Sequence, residues 1–144
     1  MTTETLRPDL RTAIDAALDK QAGNVTLLDL TGQSAFTDYF LLCTGYSTPQ
    51  VRAICDEIEE KLKLGGLRPL HREGRDNAEW LLLDYGRFIV HVFTERLREY
   101  YDLERLWRNA RRTSFSDGSS GAGAGAGART GFGAGAAAAD ERSA

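Results

Sequence analysis

The chain has 144 residues, is 42% hydrophobic and 27% charged, and carries a formal net charge of −3. That length suits one domain. The acidic balance argues against nucleic-acid binding as the main activity, because a protein that grips phosphates carries a clear basic excess; a mildly acidic body suits a basic protein surface better. No apolar run reaches the length of a membrane span, so no membrane partner is expected.

Residues 5–21 set Leu6, Leu10, Ala13, Ile14, Ala17 and Leu18 at helical spacing, predicting an amphipathic first helix that Gly23-Asn24 ends. Val25 to Leu30 reads as a strand and Thr31-Gly32-Gln33-Ser34 as a turn. Tyr39 to Thr44 is a second strand, apolar enough to be central. Thr48 suits an N-cap and Pro49 a first helical position. Val51, Ile54, Cys55, Ile58 and Leu62 then form one stripe, and Gly65-Gly66 stops the helix. Residues 67–73 read as a short polar edge strand and 73–77 as a charged loop. Glu95 to Arg112 is a charged, aromatic, helical stretch that Asp102-Leu103 divides in two.

From Thr113 onward the chain is Ser, Gly and Ala with few charges. Such a segment has little side chain to bury and cannot offset the entropy of ordering its backbone. The expected organisation is therefore a folded domain over 1–112 and a disordered Gly/Ala-rich tail over 113–144. The fold class expected is α/β: a mixed sheet of about five strands flanked by helices.

The most informative stretch is Trp80 to Phe93, two apolar strands joined by Tyr85-Gly86-Arg87. With a two-residue loop, the period of two sorts the side chains. Leu81, Leu83, Phe88, Val90 and Val92 share a wholly apolar face that reads as core. Trp80, Leu82, Asp84, Arg87, Ile89, His91 and Phe93 share the other. A Trp, a His, an Asp and an Arg among apolar residues resemble the centre of a protein interface. A helix covering the face is the competing reading.

Catalytic signals are weak. Gly45-Tyr46-Ser47 ends a strand before a helix and could hold a phosphate, but turn and cap explain it better. The carboxylate pair that would hold a catalytic metal with nucleotide phosphates is missing; Asp102 and Glu104 lie in the C-terminal helical stretch. His71 and His91 have no metal-ligand spacing to each other or to a cysteine. Cys43 and Cys55 read as small buried hydrophobes. No signal-peptide pattern precedes them, and a reducing, cytoplasmic setting is expected. No metal and no cofactor is expected.

Asp38-Tyr39-Phe40, Gly45-x-Ser47, Val51-Arg52-Ala53-Ile54, Glu73-Gly74, Trp80-Leu81-Leu82-Leu83-Asp84-x-Gly86, Val90-His91-Val92-Phe93 and Tyr101-x-Leu103-Glu104-x-Leu106-Trp107 together resemble the ribosomal silencing factor family, also called the Iojap family. The resemblance runs from about residue 5 to Trp107, in order and spacing. Tyr100 stands where the family often has Phe, and the Gly/Ala tail lies outside its pattern. The resemblance implies a non-enzymatic translational repressor. It would bind the large ribosomal subunit through the fourteenth large-subunit ribosomal protein, with minor rRNA contacts, and block association with the small subunit when nutrients are scarce. It also implies a homodimer and a nucleotidyltransferase-like core without catalytic carboxylates. Trp80 and its neighbours become contact residues, and the partner-binding set expected is Trp80, Leu82, Asp84, His91, Phe93, Tyr39 and Tyr101. Large-subunit assembly is the alternative role; a nucleotide-binding transferase is the more distant one.

Overall fold

The two most apolar segments, β2 (Tyr39–Gly45) and β5 (Phe88–Thr94), lie side by side at the centre of the sheet. They run parallel, in register from Tyr39 opposite Phe88 to Gly45 opposite Thr94. Strands buried on both sides belong there, and six of the seven residues in each are buried. The structure is a computed structural model and describes residues 7–74 and 77–116. Around the central pair stand α1 (Pro8–Asp19), β1 (Gly23–Asp29), α2 (Thr48–Leu64), β3 (His71–Glu73), β4 (Trp80–Asp84), α3 (Glu95–Tyr101), α4 (Leu103–Leu106) and β6 (Arg111–Phe115). The sheet order is β3-β4-β5-β2-β1-β6, and every pairing except β2 with β5 is antiparallel.

Each face of the sheet has its own core. On one, α1 and α2 bring Leu10, Ile14, Val51, Ile54 and Ile58 onto Leu41, Cys43, Leu81, Leu83, Val90 and Val92. Cys43 and Cys55 are both buried in this layer, and burial pushes the Cys43 thiol up to about 12. On the other, Leu28, Leu30, Phe40, Leu42, Ile89 and Phe93 meet Leu97, Leu103 and Trp107 from the returning C-terminal segment.

The sheet has six strands, not about five. The extra one, β6, pairs antiparallel with β1 from Asp29 opposite Arg111 to Val25 opposite Phe115. Its sequence, Arg-Arg-Thr-Ser-Phe, buries only Phe115, so side-chain patterning carries no strand signal. The ladder along the β1 edge supplies the order instead. The domain thus runs past residue 112 to Phe115, and residues 107–112 are not helical: a turn at Trp107–Asn109 leads into the strand. The remainder of the expected tail, 117–144, lies outside the described residues. The division at Asp102 is present, with φ of 47° in the left-handed region. The cap of α2 is Ser47 rather than Thr48: its hydroxyl accepts the Gln50 amide at 3.2 Å.

Candidate partner-binding face

The β4–β5 hairpin closes on Gly86-Arg87, with the Tyr85 amide donating to the Phe88 carbonyl at 2.9 Å. Gly86 has φ of 86°, which a two-residue hairpin loop demands and L side chains resist. The Asp84 carboxylate accepts the Gly86 amide at 2.8 Å, so it is spent on the turn. Arg87 lies 4.0 Å from Asp38 instead. The register places Trp80 opposite Phe93, Leu82 opposite His91 and Asp84 opposite Ile89. The expected sorting of side chains onto two faces is therefore present.

Four of the seven expected contact residues offer surface on this face. Trp80, Leu82 and Asp84 are half-buried, and Tyr101 is 51% exposed. His91 at 4% and Phe93 at 0% are not accessible. The hairpin register alone cannot reveal this, because what covers them is the α3–α4 segment folding back over β5. Tyr39 lies apart from this face: strand alternation turns it to the opposite side, against the layer formed by α1 and α2. Its neighbour Phe40 occupies the Trp80 side.

The face is an aromatic band. Rings of Phe36 and Phe40 lie 6.3 Å apart, Phe40 and Trp107 6.1 Å, Phe40 and His91 4.5 Å, Trp80 and Phe93 5.4 Å, Trp80 and Tyr101 4.8 Å, and Tyr101 and Tyr100 4.9 Å. Its ends, Phe36 and Tyr100, are 61% and 76% exposed. Within it the Trp80 indole N–H donates to His91 Nδ1 at 3.1 Å. Burial, with the Arg98 charge behind it, pushes the His91 pKa down to about 3, keeping the ring neutral.

Arg98 fixes the covering helices and was not singled out by sequence. Its buried guanidinium donates to the Asn24 carbonyl at 2.6 Å, Thr44 Oγ1 at 3.0 Å, Thr26 Oγ1 at 3.1 Å and Glu104 Oε2 at 2.5 and 3.1 Å. It ties α3 to β1 and β2, and α4 to α3 across the Asp102 bend. Burial alone would raise the Glu104 carboxyl, but the Arg98 charge and hydrogen bonds, with Arg112 at 3.6 Å, hold it below the usual carboxylate range. The available signal was an Arg and a Glu six apart around a helix break.

The weaker chemical candidates are accounted for locally. The Ser47 hydroxyl is the α2 cap, and the Tyr46 amide is taken by Gln50 Oε1 at 2.7 Å. A Cβ on Gly45 would meet the Val51 side chain at 2.6 Å and its amide at 3.0 Å, so this glycine lets α2 approach the end of β2. Glu104 belongs to Arg98 rather than to a metal pair with Asp102. Among the described residues, no three His, Cys, Asp or Glu side chains converge as metal ligands, and no helix is long and apolar enough to cross a membrane. A depression of about 420 Å³ lies between α2 and residues 68–72, lined by charged side chains.

Helical layers on a mixed sheet, with an aromatic surface beside its hairpin, define an α/β protein. Residues 3–138 match the family model described as ribosomal silencing factor during starvation, beyond the Trp107 limit read from the motifs. The chain is 44% identical over 101 residues to the ribosomal silencing factor RsfS of Bacillus subtilis, covering 70% of this chain and 86% of that protein. A crystal structure of a Chromobacterium violaceum protein superposes with a TM-score of 0.68 at 33% identity, covering 76% of this chain and 91% of that one. The mouse protein named mitochondrial assembly of ribosomal large subunit protein 1 is 26% identical over 102 residues, 69% of this chain and 45% of that protein. The chain belongs to the ribosomal silencing factor family.

Proposed function

We propose that the protein represses translation by occupying the large ribosomal subunit. The aromatic band around Trp80 docks on the fourteenth large-subunit ribosomal protein, and the bound protein stands in the way of the small subunit. A ligand that holds only the free subunit lowers association by the factor by which its concentration exceeds its dissociation constant, so repression when nutrients are scarce needs no chemistry. The observation that carries this reading is the half-buried Trp80 beside Tyr101, itself 51% exposed. Aromatic anchors partly ordered by their own fold are typical of interface centres. The net charge of −3 suits a basic ribosomal protein, with rRNA contacts minor. A cytoplasmic homodimer, and a transferase-like core lacking catalytic carboxylates, complete the reading.

Large-subunit assembly is the second reading, favoured by the name of the mouse relative. Both roles use the same docking. The test is Trp80→Ala, followed by thermal melting and by co-sedimentation with purified large subunits. A folded variant that no longer co-sediments supports the docking face. A folded variant that still co-sediments with unchanged affinity refutes it.

A further inference from the structure

We propose that His91 is the positioning residue of the Trp80 anchor: its Nδ1 holds the indole N–H inward, so Trp80 meets its partner as a purely apolar surface. This rests on the docking reading above. The indole N–H is the only polar group of a Trp side chain, and it donates but cannot accept. Here it is used up within the protein, on His91 Nδ1 at 3.1 Å. No hydrogen bond to the partner remains for it. What the partner places on Trp80 is therefore an aliphatic or aromatic side chain, not a carboxylate or a backbone carbonyl.

Three features keep the hydrogen bond in place. First, His91 is itself immobile: it is 4% exposed and sits on the central strand β5 opposite Leu42 and Leu82. Second, Phe40 packs edge-on against its ring at 4.5 Å and Phe93 lies along the same strand at 6.1 Å. Third, an accepting Nδ1 on a neutral ring puts the proton on Nε2. That atom is buried and has no hydrogen-bond partner among the described residues, so moving the proton to Nδ1 would give up the indole and gain no bond in return. A buried orphan donor is costly.

The test begins on the unaltered protein. Imidazole 15N shifts are expected to show Nδ1 unprotonated and Nε2 protonated; the opposite tautomer overturns the proposal. His91→Phe removes the acceptor and His91→Asn keeps one near the Nδ1 position. Of the two Trp indole N–H signals, one is expected to move and lose exchange protection in His91→Phe but to stay close to its original place in His91→Asn. Large-subunit affinity should fall about tenfold in the Phe variant and recover in the Asn variant, since orphaned buried donors commonly cost that much. Trp80→Phe, which keeps an apolar ring without the N–H, should retain affinity within about fivefold, against a loss of about thirtyfold or more for Trp80→Ala. If Trp80→Phe is as damaging as Trp80→Ala, the partner uses the N–H and the proposal is wrong. If Trp80→Ala itself still binds, the docking reading fails instead.

Discussion

Arg98→Ala removes five hydrogen bonds at one stroke. The guanidinium is 6% exposed, and the carboxylate it pairs with, Glu104, is 13% exposed. After the substitution Glu104 keeps a backbone hydrogen bond and Arg112 at 3.6 Å, the latter 53% exposed. The Asn24 carbonyl and the Thr26 and Thr44 hydroxyls lose their shared donor. Breaking one side of a buried pair costs about 3–5 kcal/mol, chiefly because an uncompensated charge is left behind. The loss should therefore approach that range in urea unfolding at pH 7. The double substitution Arg98→Met with Glu104→Leu leaves no buried charge and should cost less than Arg98→Ala alone, although it deletes more polar groups. Because Arg98 also seats the helix that carries Tyr101, the Ala variant should lose large-subunit affinity as well. A stability change below about 1 kcal/mol would refute the clamp, since exposed pairs are worth no more than that.

Acid should destabilise the protein through His91, whose pKa is depressed from 6.5 to about 3 in the fold. Between those values the unfolded chain binds a proton that the folded chain excludes, so stability falls as pH drops, by about 1.4 kcal/mol per unit from this one group. His91→Asn should flatten the stability–pH curve over that window relative to the original chain; parallel curves would contradict it. Removal of residues 117–144 should change stability by less than about 0.5 kcal/mol. Removal of 111–144 also strips β6 and buried Phe115 from the β1 edge and should cost more than about 3 kcal/mol; equal effects in urea titrations would mean that β6 is not part of the cooperative unit. Docking through protein should give a shallow salt dependence. Large-subunit affinity should fall less than about tenfold between about 50 and 200 mM salt, where six to ten phosphate contacts would cost about a thousandfold or more.

The sheet was legible wherever burial leaves a repeating trace. β2 and β5 show as continuous apolar runs, and Gly86 with its neighbours fixes the hairpin register that sorts Trp80 and Leu82 from Leu81 and Leu83. β6 left no such trace, because four of its five residues are not buried and its order comes from backbone pairing. The site was half legible. Period two places His91 and Phe93 with Trp80, but only the long-range return of α3 and α4 decides that those two are buried while Trp80 stays half-buried. Which of Tyr39 and Phe40 shares the Trp80 side was hidden for a related reason: adjacent residues on a strand buried on both sides look alike until the helices choose their layer. Arg98 was invisible because its partners, Asn24, Thr26, Thr44 and Glu104, come from three separate parts of the chain.

The most direct test of the account is subunit joining itself, followed by light scattering as small subunits are added to large subunits preincubated with the protein. The account predicts that the protein lowers association in proportion to its occupancy of the large subunit, and that folded Trp80→Ala does not. Unimpaired association on large subunits saturated with the protein, or equal inhibition by Trp80→Ala, would contradict it.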